Sequence, residues 1–190
     1  MQNTHTIRII PSSQPTVIRS CPKCGNRCEY ESTGNFRVNA NQSLIDVWLI
    51  YQCKKCKSTW NMDILTRTHP KTIEKELYQK FLQNDSKLAL RYAYDSAAHS
   101  RNKSTLSYEG IPYEIKSCNA FLPALEECFQ LEIICEYPLD IRVDKILSQI
   151  FGISREQIKK MCGNGKITAK NSSNVEKAKV KNGMLICFNN

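Results

Sequence analysis

No apolar run in this chain approaches the roughly 18 residues that a membrane-spanning helix requires. The first residues, MQNTHTIRII, lack the charged n-region and apolar h-region of a secretory signal, so the expectation is a cytoplasmic protein without a membrane partner. Histidine is scarce. The three present, His5, His69 and His99, suggest no Ser-His-Asp order and read as surface or core residues. There is no P-loop, and no G-x-G-x-x-G follows a strand. Glu126, Glu127, Glu132 and Glu136 are near enough in sequence to pair as acid and base, but an acidic solvated face explains them more simply. With no catalytic constellation, the chain reads as a non-enzyme.

What the chain has in quantity is cysteine and positive charge. The net charge of +9 is uneven: 27 Lys and Arg against 18 Asp and Glu, with the excess in residues 1–69 and 140–190 and an acidic balance between. Basic ends suit a nucleic-acid partner better than a uniform surface would. Of the ten cysteines, four form two CxxC pairs, Cys21/Cys24 and Cys53/Cys56. Without a secretory signal, a metal explains them better than disulfides do.

Each CxxC makes a tight turn that aims two sulfurs at one point. Two such turns give four thiolates, a tetrahedron at about 2.3 Å that suits zinc and leaves no position open for chemistry. The zinc would be structural. Iron in a rubredoxin-like redox site is the less favoured occupant of the same ligands. Cys28 is a spare thiol that could substitute for Cys24, though the CxxC geometry argues against it. Cys118, Cys128, Cys135, Cys162 and Cys187 lie in apolar surroundings and read as buried, inert thiols.

The flanking pattern is extended. Thr4–Ile10 and Thr16–Ser20 are β-prone runs around the loop 11–15. Phe36–Ala40 and Leu44–Gln52 follow, joined by the turn Asn41-Gln42-Ser43, then Ser58–Leu65. Together they make a β-rich zinc ribbon over residues 1–69. Trp48, Tyr51 and Trp60 are candidates for a base-stacking platform, but covering a small ribbon core is the favoured role. FRVNAN, IDVWLIYQC, the second CxxC and TWNMDILTR together resemble an uncharacterised bacterial family, a domain of unknown function with an N-terminal four-cysteine ribbon. That resemblance implies an architecture and no activity.

Residues 70–138 read as a mixed helix and strand connector. Pro70–Asn84 is expected to be helical, with Ile73, Leu77 and Phe81 on one face. A second helix capped by Asp85 or Ser86 is expected to reach Ala98, and a polar loop to start at His99. Leu106–Lys116 looks extended but broken near Gly110 and Pro112. A short helix is expected over Asn119–Cys128 and a strand over Leu131–Tyr137.

Residues 139–190 carry the strongest pattern. Val143, Ile146, Leu147, Ile150 and Phe151 fall at i, i+3, i+4, i+7, i+8, one face of a helix. Gly152 ends it. Ser154 with Gln157 forms a capping box for the next helix, whose apolar face is Ile158, Met161 and Cys162. Gly163 or Gly165 supplies its left-handed end. The polar faces are basic: Arg142 and Lys145 on the first helix, Arg155, Lys159 and Lys160 on the second, then Lys166. R-V-D-K-I-L-S, G-I-S-R-E-Q-I-K-K-M and G-K-I-T resemble the RNA-binding domain named after ribosomal protein S-four, the αL fold. The third segment departs from that family's V-N-G turn, with Thr168-Ala169-Lys170-Asn171 in its place. A closing strand is available at Met184–Phe188 after the turn Asn182-Gly183.

The resemblance implies binding to structured RNA, ribosomal or transfer. Arg142, Lys145, Ser154, Arg155, Lys159, Lys160 and Lys166 would meet it, Ser154 through the first-turn amides. The same helix pair also resembles a helix-turn-helix, so a DNA-binding regulator is the alternative. The overall expectation is an α+β chain of zinc ribbon, mixed connector and C-terminal RNA-binding hairpin with short strands.

Overall fold

The computed structural model describes residues 3–41, 43–125, 127–170 and 174–189. Gln42 of the expected turn, Glu126 of the acidic group and Asn171 of the departing segment lie outside them. The described residues contain both helices and sheets, an α+β protein. None of their helices is long and apolar enough to cross a membrane.

The chain forms two compact units, one of residues 14–108 and one of residues 1–13 with 109–190. The expected division at 69/70 and 138/139 does not coincide with them. The reason is pairing. The first strand, β1 (Asn3–Pro11), does not join the cysteine-bearing strands. It pairs antiparallel with β7 (Tyr113–Ser117) and parallel with β8 (Phe129–Ile134). A parallel pair needs a long crossover, and here the crossover contains the whole of the other unit.

That unit is built on β2 (Thr16–Cys21), β3 (Asn26–Asn41), β4 (Leu44–Cys53), β5 (Thr59–Thr68) and β6 (Thr105–Ser107), in the order β5-β4-β3-β2-β6. β4 alternates strictly, burying Ile45, Val47, Leu49, Tyr51 and Cys53. This is the period-2 pattern of a sheet with one covered face. The cover comes from α1 (Lys75–Leu82), α2 (Ser86–Ala93) and α3 (Ser96–Arg101). Phe81, Leu88, Ala89, Ala93 and Ala98 join the same core, and Phe36 meets Phe81 and Tyr92 edge-on at 5.0 and 6.1 Å.

Several boundaries differ from expectation. Pro70–Thr72 forms a separate 3₁₀ turn, so α1 begins only at Lys75. Asp85 caps α2 through the Leu88 amide. Asp95 captures the Ala98 amide and starts a new helix, so the expected single helix is two. His99 lies within α3, 1% exposed, where Ala93 O and the hydroxyls of Ser104 and Tyr51 surround its ring.

The other unit holds a five-stranded sheet, β7-β1-β8-β10-β9, with β9 (Ile167–Ala169) and β10 (Met184–Phe188) antiparallel. Its inner face carries Ile7, Ile9, Phe129, Leu131, Ile133, Ile186 and Phe188. The helices α4 (Val143–Phe151) and α5 (Arg155–Gly163) complete its apolar core. Val143, Ile146, Leu147 and Ile158 are all fully buried, and Phe151 packs on Phe129 and Phe188 at 6.3 and 5.3 Å. Residues 119–125, 127 and 128 form no helix. Pro123 in mid-segment removes an amide donor and biases Leu122 away from the helical region. Cys118 and Cys128 are exposed rather than buried, whereas Cys135 is buried and Cys162 and Cys187 are half-buried.

Candidate metal centre and basic hairpin

Cys21 ends β2 and Cys53 ends β4. Both strands pair with β3, with Cys21 opposite Asn26 and Tyr30 opposite Cys53. The register brings the two CxxC turns together at one end of the sheet. The Sγ atoms of Cys21, Cys24, Cys53 and Cys56 all lie within 4.8 Å of one another, and those of Cys21 and Cys56 are 3.5 Å apart. Four sulfurs at about 2.3 Å from a tetrahedral centre would stand about 3.8 Å apart, so the four cysteines fit a metal ion.

The two turns share one backbone design. Gly25 N donates to Cys21 O and Lys57 N to Cys53 O, each at 2.9 Å. The residue after each CxxC is left-handed, Gly25 at φ 72° and Lys57 at φ 60°. In each turn the amide of the second cysteine donates to the first sulfur. Ser58 serves both pairs, its hydroxyl 3.5 Å from Cys21 Sγ and 3.0 Å from Cys56 Sγ. That hydroxyl, followed by the Tyr30 hydroxyl, pulls the Cys21 thiol down to about 5, and Ser58 lowers Cys56 as well. Cys24 is pushed up by its contact with Cys56 and then by burial. Without metal, Cys21 favours the thiolate and Cys56 leans towards it, while Cys24 and Cys53 are both shifted upward and keep their protons; a metal ion would displace those two protons. Cys28 stands outside the four, and its thiol donates to Asn26 Oδ1 at 3.1 Å.

The three aromatics that could stack on bases are occupied. Tyr51 is fully buried. Trp60 packs on Tyr51 at 5.2 Å and on Tyr30 at 6.3 Å, and the Arg19 guanidinium lies 3.9 Å from its ring centroid. Trp48 Nε1 donates to Asp63 Oδ1 at 2.7 Å. Tyr51 and Trp60 thus build and cover the core, and Arg19 takes a face of Trp60 that a base would need.

The basic hairpin is a second candidate site. Gly152, at φ 65°, ends α4. Ser154 Oγ accepts from Gln157 N while Gln157 Oε1 accepts from Ser154 N, the complete capping box. The Ser154 side chain is therefore spent on the cap. Gly165 at φ 75° precedes β9, while Gly163 stays helical.

Arg142 and Arg155 are brought together, by a residue the sequence did not single out. Asp144 is 4% exposed. Its Oδ2 accepts from Arg142 Nη2 at 2.9 Å and from Arg155 Nε and Nη2 at 3.1 and 2.8 Å. Arg142 Nη2 also donates to Glu176 O at 2.9 Å. Lys145 leaves this group, its Nζ 5.7 Å from the Tyr113 ring centroid, and Tyr113 in turn donates to Gln149 Oε1 at 2.7 Å. Lys159, Lys160 and Lys166 are exposed. An aspartate beside buried Val143, two residues after Arg142 at the start of one helix and with Arg155 at the start of the next, is the signal that could have revealed the triad.

The acidic residues described after position 126 disperse. Glu127 accepts from its neighbour Ala124, Glu132 from Thr6 Oγ1, and Glu136 pairs with Arg8. No curated protein and no solved structure matches the chain. Residues 38–173, well over half of it, match the family described as Protein of unknown function (DUF1062), which fits the resemblance carried by FRVNAN, IDVWLIYQC and TWNMDILTR. The chain belongs to that family.

Proposed function

We propose that this protein is a non-enzymatic binder of structured RNA, ribosomal or transfer. Its 140–189 hairpin and strands would act as an αL domain of the ribosomal S-four type, and a ribbon at the four cysteines would be held by structural zinc. The observation that carries the reading is the hairpin's construction. Two short helices join through Gly152 and a capping box, pack on β10 through Phe151, and run into the antiparallel pair β9–β10. Arg142, Arg155, Lys159, Lys160 and Lys166 stand exposed on this compact scaffold. Cationic side chains on a rigid support position a phosphate backbone, and A-form RNA is recognised through shape, phosphates and 2′-hydroxyls.

A helix-turn-helix DNA reader needs side chains of the second helix free to reach base edges. Arg155 is instead engaged with Asp144, which favours RNA over the DNA-regulator alternative. Zinc is preferred to iron because a closed four-thiolate site with no open position is the usual structural zinc set. Metal analysis with a visible spectrum separates the two: a colourless protein with one zinc is expected. The functional test is competitive binding of a stem-loop RNA and duplex DNA of equal length at one salt concentration, followed by in-cell crosslinking and sequencing. Preference for the RNA is expected; equal affinity overturns the reading and promotes the DNA regulator.

A further inference from the structure

Asp144 is placed unusually for a carboxylate on a basic hairpin. It is almost wholly buried at the second position of α4, yet a single oxygen takes every hydrogen bond it makes. Three N–H groups from Arg142 and Arg155 converge on Oδ2. Oδ1 is buried and has no hydrogen-bond partner among the described residues. Two guanidinium groups that would repel one another are thereby drawn to one point. Neither is buried with the carboxylate: the side chains of Arg142 and Arg155 remain 46% and 50% exposed.

The donor inventory is incomplete on the solvent side. A guanidinium has five N–H donors. Arg142 spends Nη2 on Asp144 and Glu176 O, and Arg155 spends Nε and one N–H of Nη2. Nη1 of each makes no hydrogen bond among the described residues. Two cations and one anion leave the group with a net charge of +1. A monoanion with several acceptor oxygens would complete both the charge and the hydrogen bonds, and a phosphodiester has that chemistry.

We propose that Asp144 is a positioning residue that holds Arg142 and Arg155 as a pre-organised pair for one phosphodiester group of the RNA backbone. This deepens the RNA-binding reading and rests on it. A flexible arginine must lose rotamer freedom when it binds; one already fixed by a carboxylate loses less. Asp144 would thus strengthen binding although its charge is the same sign as the ligand's.

That opposition of sign makes the test sharp. Full-length wild type and Asp144→Asn are titrated onto a fluorescein-labelled stem-loop RNA by anisotropy across a salt series. If charge alone governs binding, removing a negative charge tightens it. If Asp144 positions the arginines, affinity falls by about tenfold, and the slope of log K against log salt becomes shallower by about one phosphate contact. Arg155→Lys is the second variant, since it keeps the charge and loses the planar fork; it too should weaken binding about tenfold. Circular dichroism checks each fold, and where Asp144→Asn does not fold, Arg155→Lys decides. Equal or tighter binding by the folded variants overturns the positioning role while leaving RNA binding intact. A wild type that does not prefer the RNA to duplex DNA overturns the parent reading and this one with it.

Discussion

The sharpest distinction among the cysteines is between Cys24 and Cys28. Cys24 Sγ belongs to the four sulfurs within 4.8 Å of one another; Cys28 points its thiol at Asn26. Changing each to serine should therefore give opposite results. Structural zinc sites draw about 10–16 kcal/mol from four ligands, so one ligand's share corresponds to about 100-fold or more in metal affinity. Cys24→Ser should purify with little metal, or lose it to a chelator that leaves wild type loaded. Cys28→Ser should retain one metal ion per chain.

The fold also dictates how far the damage spreads. The turns sit at one end of a sheet whose core runs through Val47, Leu49, Met62, Phe81 and Ala89, residues that touch no metal. Hydrogen exchange should lose protection first at the Gly25 and Lys57 amides, which close the two turns, and keep it at Leu49 in mid-strand. Metal loss on Cys28→Ser with retention on Cys24→Ser would refute the ligand set. Collapse of protection at Leu49 together with the turns would refute the claim of a metal-independent core.

Further consequences follow from single residues. Lys57 holds φ 60° without being glycine, a strain of about 1–2 kcal/mol. Against it stand glycine's entropy cost and an exposed 3.4 Å pair with Glu31 of little worth; Lys57→Gly should therefore raise chelator resistance or leave it unchanged, while Gly25→Ala should lower thermal stability by about 1 kcal/mol. Ser154→Ala removes one half of the capping box and should cost about 1 kcal/mol in urea unfolding. Burial holds the His99 imidazole below the usual histidine range. Between that depressed value and about 6.5 the unfolded chain binds the extra proton, so this contribution to stability is complete above about 6.5 and is lost as pH falls through the window. A His99→Gln variant should show a flatter stability slope there; an unchanged slope would show that His99 does not titrate on unfolding.

Local pattern made the hairpin legible almost residue by residue. Its signals act within one or two turns of chain: the 3.6-residue period of Val143 to Phe151, Gly152 as a stop, Ser154 with Gln157 as a start, Gly183 before the closing strand. The cysteine cluster was legible for a related reason, because CxxC fixes a turn and four thiolates have few uses besides a metal. What sequence could not convey was partnership at a distance. β1 looks like any β-prone run, and the two sheets compete for it on equal local terms. Only the match of Ile7 and Ile9 to the face carrying Leu131 and Ile133, more than a hundred residues later, assigns it. The connector failed for the same reason, since 70–108 cover one sheet while 109–138 supply strands to the other.

Asp144 shows why charge is harder to place than apolarity. A sequence gives the sign of each side chain but not whether it faces water, and the stripe Arg142, Lys145, Arg155, Lys159 reads as one continuous basic surface. The fold divides it. Two arginines are drawn onto a buried carboxylate, Lys145 lies against an aromatic ring, and Lys159 is exposed. These positions differ in what they can contribute. An exposed lysine offers a mobile charge whose loss should weaken binding alike for every sequence and lower the salt slope. A fixed guanidinium offers direction as well. Lys159→Ala should therefore change the salt slope of RNA binding and leave stability within about 0.5 kcal/mol of wild type. Arg155→Ala should change both, because it also strips Asp144 of two of its three hydrogen bonds and leaves a buried carboxylate held by the half-exposed Arg142 alone, a loss of about 1–3 kcal/mol. Measuring unfolding and RNA binding on the same two variants separates a stripe of equivalent charges from a divided one. Equal stability of Lys159→Ala and Arg155→Ala would show that the Asp144 cluster contributes nothing to the fold, and the division would have to be abandoned.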